Sequence, residues 1–263
     1  MSKFVPVRRQ VHKNTRWLRP RNYHFAASEA VVPIVGAELA NAASSMPTGF
    51  VPQNGSFHLV AVLSVSAGRD MFVAPDGRWL VGYIPAFLRA FPFRLLGAEE
   101  GVEPTLCVDE ESGLLTEDSE VGEPFFNADG SISAQLSAVL TFLGECERSR
   151  AGTDLAVSAL GQANLIVPWP ISIQTETGAR NVEGLYKIDE LALNELPATA
   201  FEKLRAVGAL PIAYGQLFSM NQLSVFRTLA NLQAKLAPQP APAMPDTLDK
   251  LFDTSDNAYL HFD

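Results

Sequence analysis

Residues 39 to 68 form a stretch without a single Asp, Glu, Lys or Arg, and what interrupts it decides the kind of fold available. A membrane-spanning helix needs about 20 mostly apolar residues in a row. Pro47, Gly49, Pro52, Gln53, Asn54 and Gly55 break the stretch, so no spanning helix is expected. Two short elements remain. Glu38 to Ser45 is Ala-rich and suits a helix starting after Pro33 and Gly36. His58 to Ser66, rich in Val and Leu and bounded by Gly55 and Gly68, predicts a buried strand.

A core of such short pieces needs apolar material, and 47% of the 263 residues are hydrophobic, which excludes disorder and fibrous structure. Two cysteines cannot staple a chain of this length and suit a reducing compartment. Met1 to Arg21 has no unbroken apolar run of the kind a secretory leader carries, so a cytoplasmic location is expected.

The net charge of -9 hides an asymmetry. Lys3, Arg8, Arg9, Lys13, Arg16, Arg19 and Arg21 precede the first acid, which leaves 13 basic against 29 acidic residues, or -16, beyond Arg21. Between Arg94 and Arg148 there is no Lys or Arg at all, while Glu99 to Glu123 is densely acidic. The basic arm is therefore expected to lie near the acidic body. Trp17 and Tyr23 among the charges would suit nucleic acid, but the acidic remainder repels phosphate, so nucleic acid is not the expected partner.

Farther along, Asp70 to Ala74 and Arg78 to Tyr83 flank Pro75-Asp76-Gly77, a hairpin signal because Pro fixes φ and Gly accepts positive φ. Pro85 opens one or two helical turns and Pro92 ends them. Thr105 to Val108 and Gly113 to Thr116 read as strand fragments, and Glu123 to Phe126 leads into the loop Asn127-Ala-Asp-Gly. Ser131 can cap a helix through Ile132, Leu136, Val139, Leu140 and Leu143, expected to end near Arg148 to Gly152, with another short helix over Asp154 to Leu160. Ile171 to Thr175 and Ala179 to Ile188 suit partner strands around Thr177-Gly178. Helices are expected over Pro197 to Val207 and within Ser219 to Leu236. Strands and helices without strict alternation predict an α+β fold, a single mixed domain with β-hairpins and a largely helical C-terminal part. That domain spans residues 1 to 237, followed by a Pro-rich linker at 238 to 245 and an acidic, aromatic tail at 246 to 263.

The search for chemistry finds little. G-x-S-x-G, G-x-x-x-x-G-K-[ST], G-x-G-x-x-G and H-E-x-x-H are all absent. Cys107 and Cys146 have no histidine nearby, so each reads as a small buried thiol. His261-Phe-Asp263 has the spacing of two iron ligands but stands at the end of the sequence, with no later histidine to complete them. Asn127, Asp129 and Ser131 resemble the start of a calcium loop, yet the bidentate Glu is missing and a turn before a helix cap fits better. No catalytic residue, metal site or cofactor is expected.

The segment Asp70 to Phe93 (DMFVAPDGRWLVGYIPAFLRAFPF) resembles the central signature of the SapC family. Val32-Pro33 with Glu38, Ala42-Ala43 to Met46-Pro47, Glu183 to Glu190 and Leu204 to Leu217 resemble other parts of it, so the likeness spans roughly residues 20 to 235. Ala90 and Phe91 depart from it, standing where the family often has a second Arg and a Tyr. The resemblance implies an association with bacterial surface layers and their secretion, beside halogenase-like proteins, cupin-like oxygenases and TonB-dependent receptors, and brings no catalytic residues.

Asp70, Asp76, Trp79, Tyr83 and Arg89 fall around the signature's turn and are the candidate binding residues, because aromatic anchors and Arg tend to dominate binding energy. Leu248, Leu251 and Phe252, followed by Tyr259 and Phe262, make the tail a candidate docking segment for another protein. The expected function is a non-enzymatic cytoplasmic accessory protein of a surface-layer or outer-membrane uptake system. The alternative is an enzyme or small-ligand protein acting on a peptide or amino-acid derivative. A pocket gathering Arg89, a histidine and several carboxylates would favour it.

Overall fold

The computed structural model describes residues 3–65, 70–97, 104–175 and 178–236, with no account of the side chains of 173–181. The linker and the tail, with Leu248, Leu251, Phe252, Tyr259 and Phe262, lie outside the described residues.

The elements follow in chain order. Strand β1 (Phe4–Pro6), helix α1 (Arg9–His12) and β2 (Arg16–Trp17) make up the basic arm, and β3 (Val31–Pro33) leads to α2 (Leu39–Ala43). Strands β4 (Thr48–Gln53) and β5 (Ser56–Val62) come next, then the short α3 (Ala86–Arg89) and β6 (Phe93–Leu96). The acidic region supplies β7 (Thr105–Asp109), β8 (Leu115–Thr116) and β9 (Glu123–Pro124), and it runs into the long helix α4 (Ala134–Gln162). After it stand β10 (Ile166–Pro168), β11 (Ile171–Thr175), β12 (Gly178–Val182) and β13 (Tyr186–Ile188). Four helices close the described chain: α5 (Glu190–Asn194), α6 (Ala198–Ala206), α7 (Ala209–Ser219) and α8 (Val225–Leu236). This is an α+β fold with antiparallel sheets and a helical C-terminal part.

The central sheet has the order β10-β13-β4-β5-β3, antiparallel throughout. Its hairpin, β4 with β5, turns on Asn54 and Gly55, both at positive φ (51° and 79°). Two such residues give the local twist that matches the flanking strands. At the other side β13 meets β4 through a single pair, Tyr186 with Phe50. Beyond it the side-chain amide of Gln216 on α7 takes over. Its oxygen accepts from Ile188 N at 2.9 Å and its NH₂ donates to Thr48 O at 3.1 Å, so a buried glutamine stands in for the missing strand contact.

The basic arm belongs to the acidic region by backbone pairing. Strand β1 runs antiparallel to β7, and β2 sits between β8 and β9. Lys3 Nζ meets Glu110 at 2.8 Å, and Arg16 donates to the carbonyls of Val121 and Gly122.

Two apolar clusters result. The larger lies between the central sheet and the C-terminal helices, with Phe50, Leu63, Phe72, Leu160, Ile188 and Leu229 inside it. The smaller holds Trp17, Phe93, Phe125, Leu136 and Leu143. Helix α4 serves both, through Leu136 and Leu143 at one end and Ala156, Val157 and Leu160 at the other. That double role explains why it runs as one element of 29 residues, about 43 Å at 1.5 Å per residue, instead of stopping near Gly152. A glycine inside a helix costs about 1 kcal/mol, which the packing of Thr153, Ala156 and Val157 offsets. Thr153 also donates to Ser149 O and accepts from Gly36 N.

Other elements differ from the sequence expectation in detail. The cap of α4 is Ser133, whose Oγ accepts from Leu136 N, rather than Ser131. Ser131 instead bonds Asp129 in the preceding turn. The partner of β11 ends at Val182, and β13 is a separate strand paired with β10. Only 3-10 turns precede Val225 in the segment expected to hold the last helix.

Candidate functional site

The signature segment begins in the core and ends at the surface. Asp70 is buried; its Oδ1 accepts from Phe72 N at 2.7 Å, and its Oδ2 has no partner among the described residues. Burial pushes its carboxyl up to about 7, helped by the like charge of Glu29. The hairpin is reduced to a tight turn, with Ala74 N donating to Arg78 O, Gly77 at φ 82° and one bridge between Val73 and Trp79. Asp76 is absorbed by that turn. It accepts from Arg78 N at 3.1 Å and pairs with Arg78 Nε at 2.6 Å, contacts that hold its carboxyl below the usual range. Trp79 stacks on Phe72 at 5.3 Å, meets the edge of Tyr23 at 5.6 Å and donates from Nε1 to Val81 O. No hydrogen bond or ring contact among the described residues joins these three candidates to one another.

Tyr83 and Arg89, by contrast, come together, because Pro85 starts α3 and one helical turn carries Arg89 back over the loop. Arg89 donates to the Tyr83 hydroxyl at 2.8 Å and to Ile84 O at 3.0 Å. Its guanidinium lies 5.3 Å from the Tyr83 ring centre and 5.0 Å from that of Phe142 on α4. It is exposed and makes no ion pair among the described residues.

Under this pair lies Glu38, a buried carboxylate at the entry of α2. Its Oε1 accepts from Val35 N, and its Oε2 accepts from Ala86 N at 2.7 Å and from the Tyr83 hydroxyl at 2.9 Å. Burial, reinforced by Glu38, pushes the Tyr83 phenol up to about 12. Burial first and Glu38 second also raise the Cys146 thiol. A phenol and a thiol so shifted stay protonated near neutral pH and serve poorly as base or nucleophile.

Arg89 stands between two clefts. One, about 360 Å³, is lined by Trp17, Arg19, Tyr23, Phe91, Gln135 and Phe142. The other, about 320 Å³, is lined by Val35, Asn41, Tyr83, Phe142, Cys146 and Ser149. A third cavity of about 250 Å³ adjoins the second cleft, sharing Val35, Glu38, Ala86 and Cys146 with it, and gathers His58, Arg94, Arg150, Glu147 and Asp154 from distant segments. Among the described residues no three His, Cys, Asp or Glu side chains are grouped to hold a metal ion. No helix there is long and apolar enough to cross a membrane.

The sequence points to Tyr83 and Arg89 but not to Phe142, Cys146 or Arg94. Glu38 figures in the sequence only as the first residue of an expected helix and within the family likeness, not as a binding residue. A lone carboxylate at the entry of an Ala-rich helix, before a buried sheet, is the one local signal that could have marked it.

The fold and this centre define a mixed α+β protein whose signature segment displays an arginine over two aromatic rings, anchored from below by a buried carboxylate. The chain belongs to the SapC family, whose family model matches residues 7–225. No curated protein and no solved structure matches it. The matched region contains the whole Glu38, Tyr83 and Arg89 network and ends at the first residue of α8.

Proposed function

We propose that this protein is a non-enzymatic accessory protein of a surface-layer or outer-membrane uptake system, acting in the cytoplasm, and that Arg89 is the centre of its contact with a protein partner. The observation that carries this reading is the state of Arg89: exposed, stacked over Tyr83 and Phe142, and held by two hydrogen bonds. An arginine fixed in place loses little freedom on binding, and the clefts beside it can take apolar side chains. The complementary partner surface presents a carboxylate flanked by aliphatic or aromatic residues. A non-catalytic role is supported by the three donors that occupy Glu38 and by the raised Tyr83 and Cys146. The tail, through Leu248, Leu251, Phe252, Tyr259 and Phe262, is a second contact on the same partner. Asp70, Asp76 and Trp79 shape and support the segment that carries Tyr83 and Arg89.

A second reading, a small-ligand protein, is favoured by the third cavity, which brings a histidine, two arginines and three carboxylates together. Co-purification from native cells with quantitative mass spectrometry separates the two. The full chain should recover a specific protein that Arg89→Ala and a version ending at Ala237 both recover poorly. Equal recovery by all three versions contradicts the reading.

A further inference from the structure

The third cavity carries an inference of its own. It lies where the two apolar clusters meet, with Ile34 and Leu59 from the larger and Phe93 and Leu143 from the smaller in its wall. Junctions of this kind are where ligand sites form most readily. Most of its charges are already matched. Glu38 accepts three hydrogen bonds, Glu147 pairs with Arg150 at 2.9 Å, and Asp154 stands 3.8 Å from His58.

Arg94 on β6 is the exception. Its guanidinium lies 4.6 Å from the Phe4 ring centre and 4.4 Å from that of Phe87, with no hydrogen-bond acceptor or carboxylate partner among the described residues. Burial lowers its pKa, against the charges of Glu29 and Asp109, which act on it without forming an ion pair. A partly desolvated cation fixed between two rings keeps its hydrogen-bonding edge open to an anion in the cavity.

We propose that this cavity binds a small monocarboxylate with an apolar body, the carboxylate on the Arg94 guanidinium and the body against Ile34, Leu59, Phe93 and Leu143. The fork of the guanidinium matches a carboxylate with two parallel hydrogen bonds. A doubly charged anion fits less well, because Glu147 and Asp154 line the same space. Arg89 is not in the wall, although Val35, Glu38, Ala86 and Cys146 line both this cavity and a cleft beside Arg89.

Titration calorimetry on the full chain with octanoate, 1-octanol and octylamine tests the proposal. Octanoate should bind once per chain, the alcohol and the amine should not, and Arg94→Gln should weaken octanoate at least tenfold while circular dichroism stays native. Leu143→Trp, which fills the cavity without touching a charge, should abolish binding. Absence of octanoate binding, equal binding of 1-octanol, or undiminished binding by folded Arg94→Gln overturns the proposal. Should Arg94→Gln fail to fold, undiminished binding by folded Leu143→Trp or Ala90→Leu overturns it equally.

Discussion

Two buried carboxylates, Glu38 and Asp70, do opposite things in this molecule. Glu38 is filled by three donors, so its removal leaves Val35 N, Ala86 N and the Tyr83 hydroxyl without their acceptor. An unmet buried donor costs about 1–3 kcal/mol, so Glu38→Ala should lower urea stability by about 2–4 kcal/mol, and Glu38→Gln by clearly less. Asp70 has one unmatched oxygen, and its carboxyl is near 7 in the fold against 3.8 in an unstructured chain. The folded state therefore binds the extra proton between those values, and stability falls as pH rises from about 4 to about 7, then levels off. Asp70→Asn keeps the acceptor for Phe72 N and cannot ionise. It should flatten that slope and raise stability at pH 8 by about 1–3 kcal/mol, read from unfolding at several pH values. Tyr83 and Arg89 are candidates alongside Asp70, Asp76 and Trp79 because all five fall in the segment that resembles the family signature, where aromatics and an Arg suit binding. Glu38 was not legible as an anchor, because its donor at Ala86 lies 48 positions away.

Among the elements, α7 shows most clearly what local reading misses. Pro211 and Gly215 argue against a helix there, yet Pro211 stands in the first turn, where its missing N–H is not needed. Long-range packing decides the rest, since Gly215 lets Leu39 approach the helix: a Cβ there would meet the Leu39 side chain at 2.7 Å. Through Gln216 the same helix holds Thr48 and Ile188 together. Gln216→Met preserves shape but strands two buried backbone groups, and it should cost about 2–4 kcal/mol in denaturant unfolding. By contrast, the β4 and β5 hairpin carried its signal openly in Asn54-Gly55. The same two residues also interrupt the uncharged stretch, which is what rules out a spanning helix there. The strand expected at Thr105 to Val108 starts where β7 starts and ends one residue short of it, and that expected from His58 begins two residues after β5 does, since continuous Val and Leu runs between glycines or prolines leave few alternatives. The end of α4 was illegible because a Gly residue breaks a helix only when nothing packs on both sides of it.

At the scale of the whole molecule, the asymmetry of charge corresponds to an asymmetry of structure. The basic arm and the acidic segment share two small sheets, and the smaller apolar cluster is built on them. A chain beginning at Arg9 loses β1 and should melt at a lower temperature, with faster hydrogen exchange at Glu110, whose amide donates to Lys3 O. Helix α4 then couples that unit to the larger core, with Arg89 at the end of α3 and Arg94 on β6 near the seam. The α+β class was readable from unordered strands and helices. The seam was not, since it is assembled from β3, α3, β6 and α4, which no sequence spacing connects. Arg89 is the proposed point of contact with another protein, and the most direct test is the equilibrium affinity of that protein, once recovered, for purified variants. Arg89→Ala should raise the Kd at least tenfold, whereas Leu191→Ala, an exposed apolar change on α5, should leave it unchanged. Equal affinity of Arg89→Ala and the unaltered chain would contradict the account.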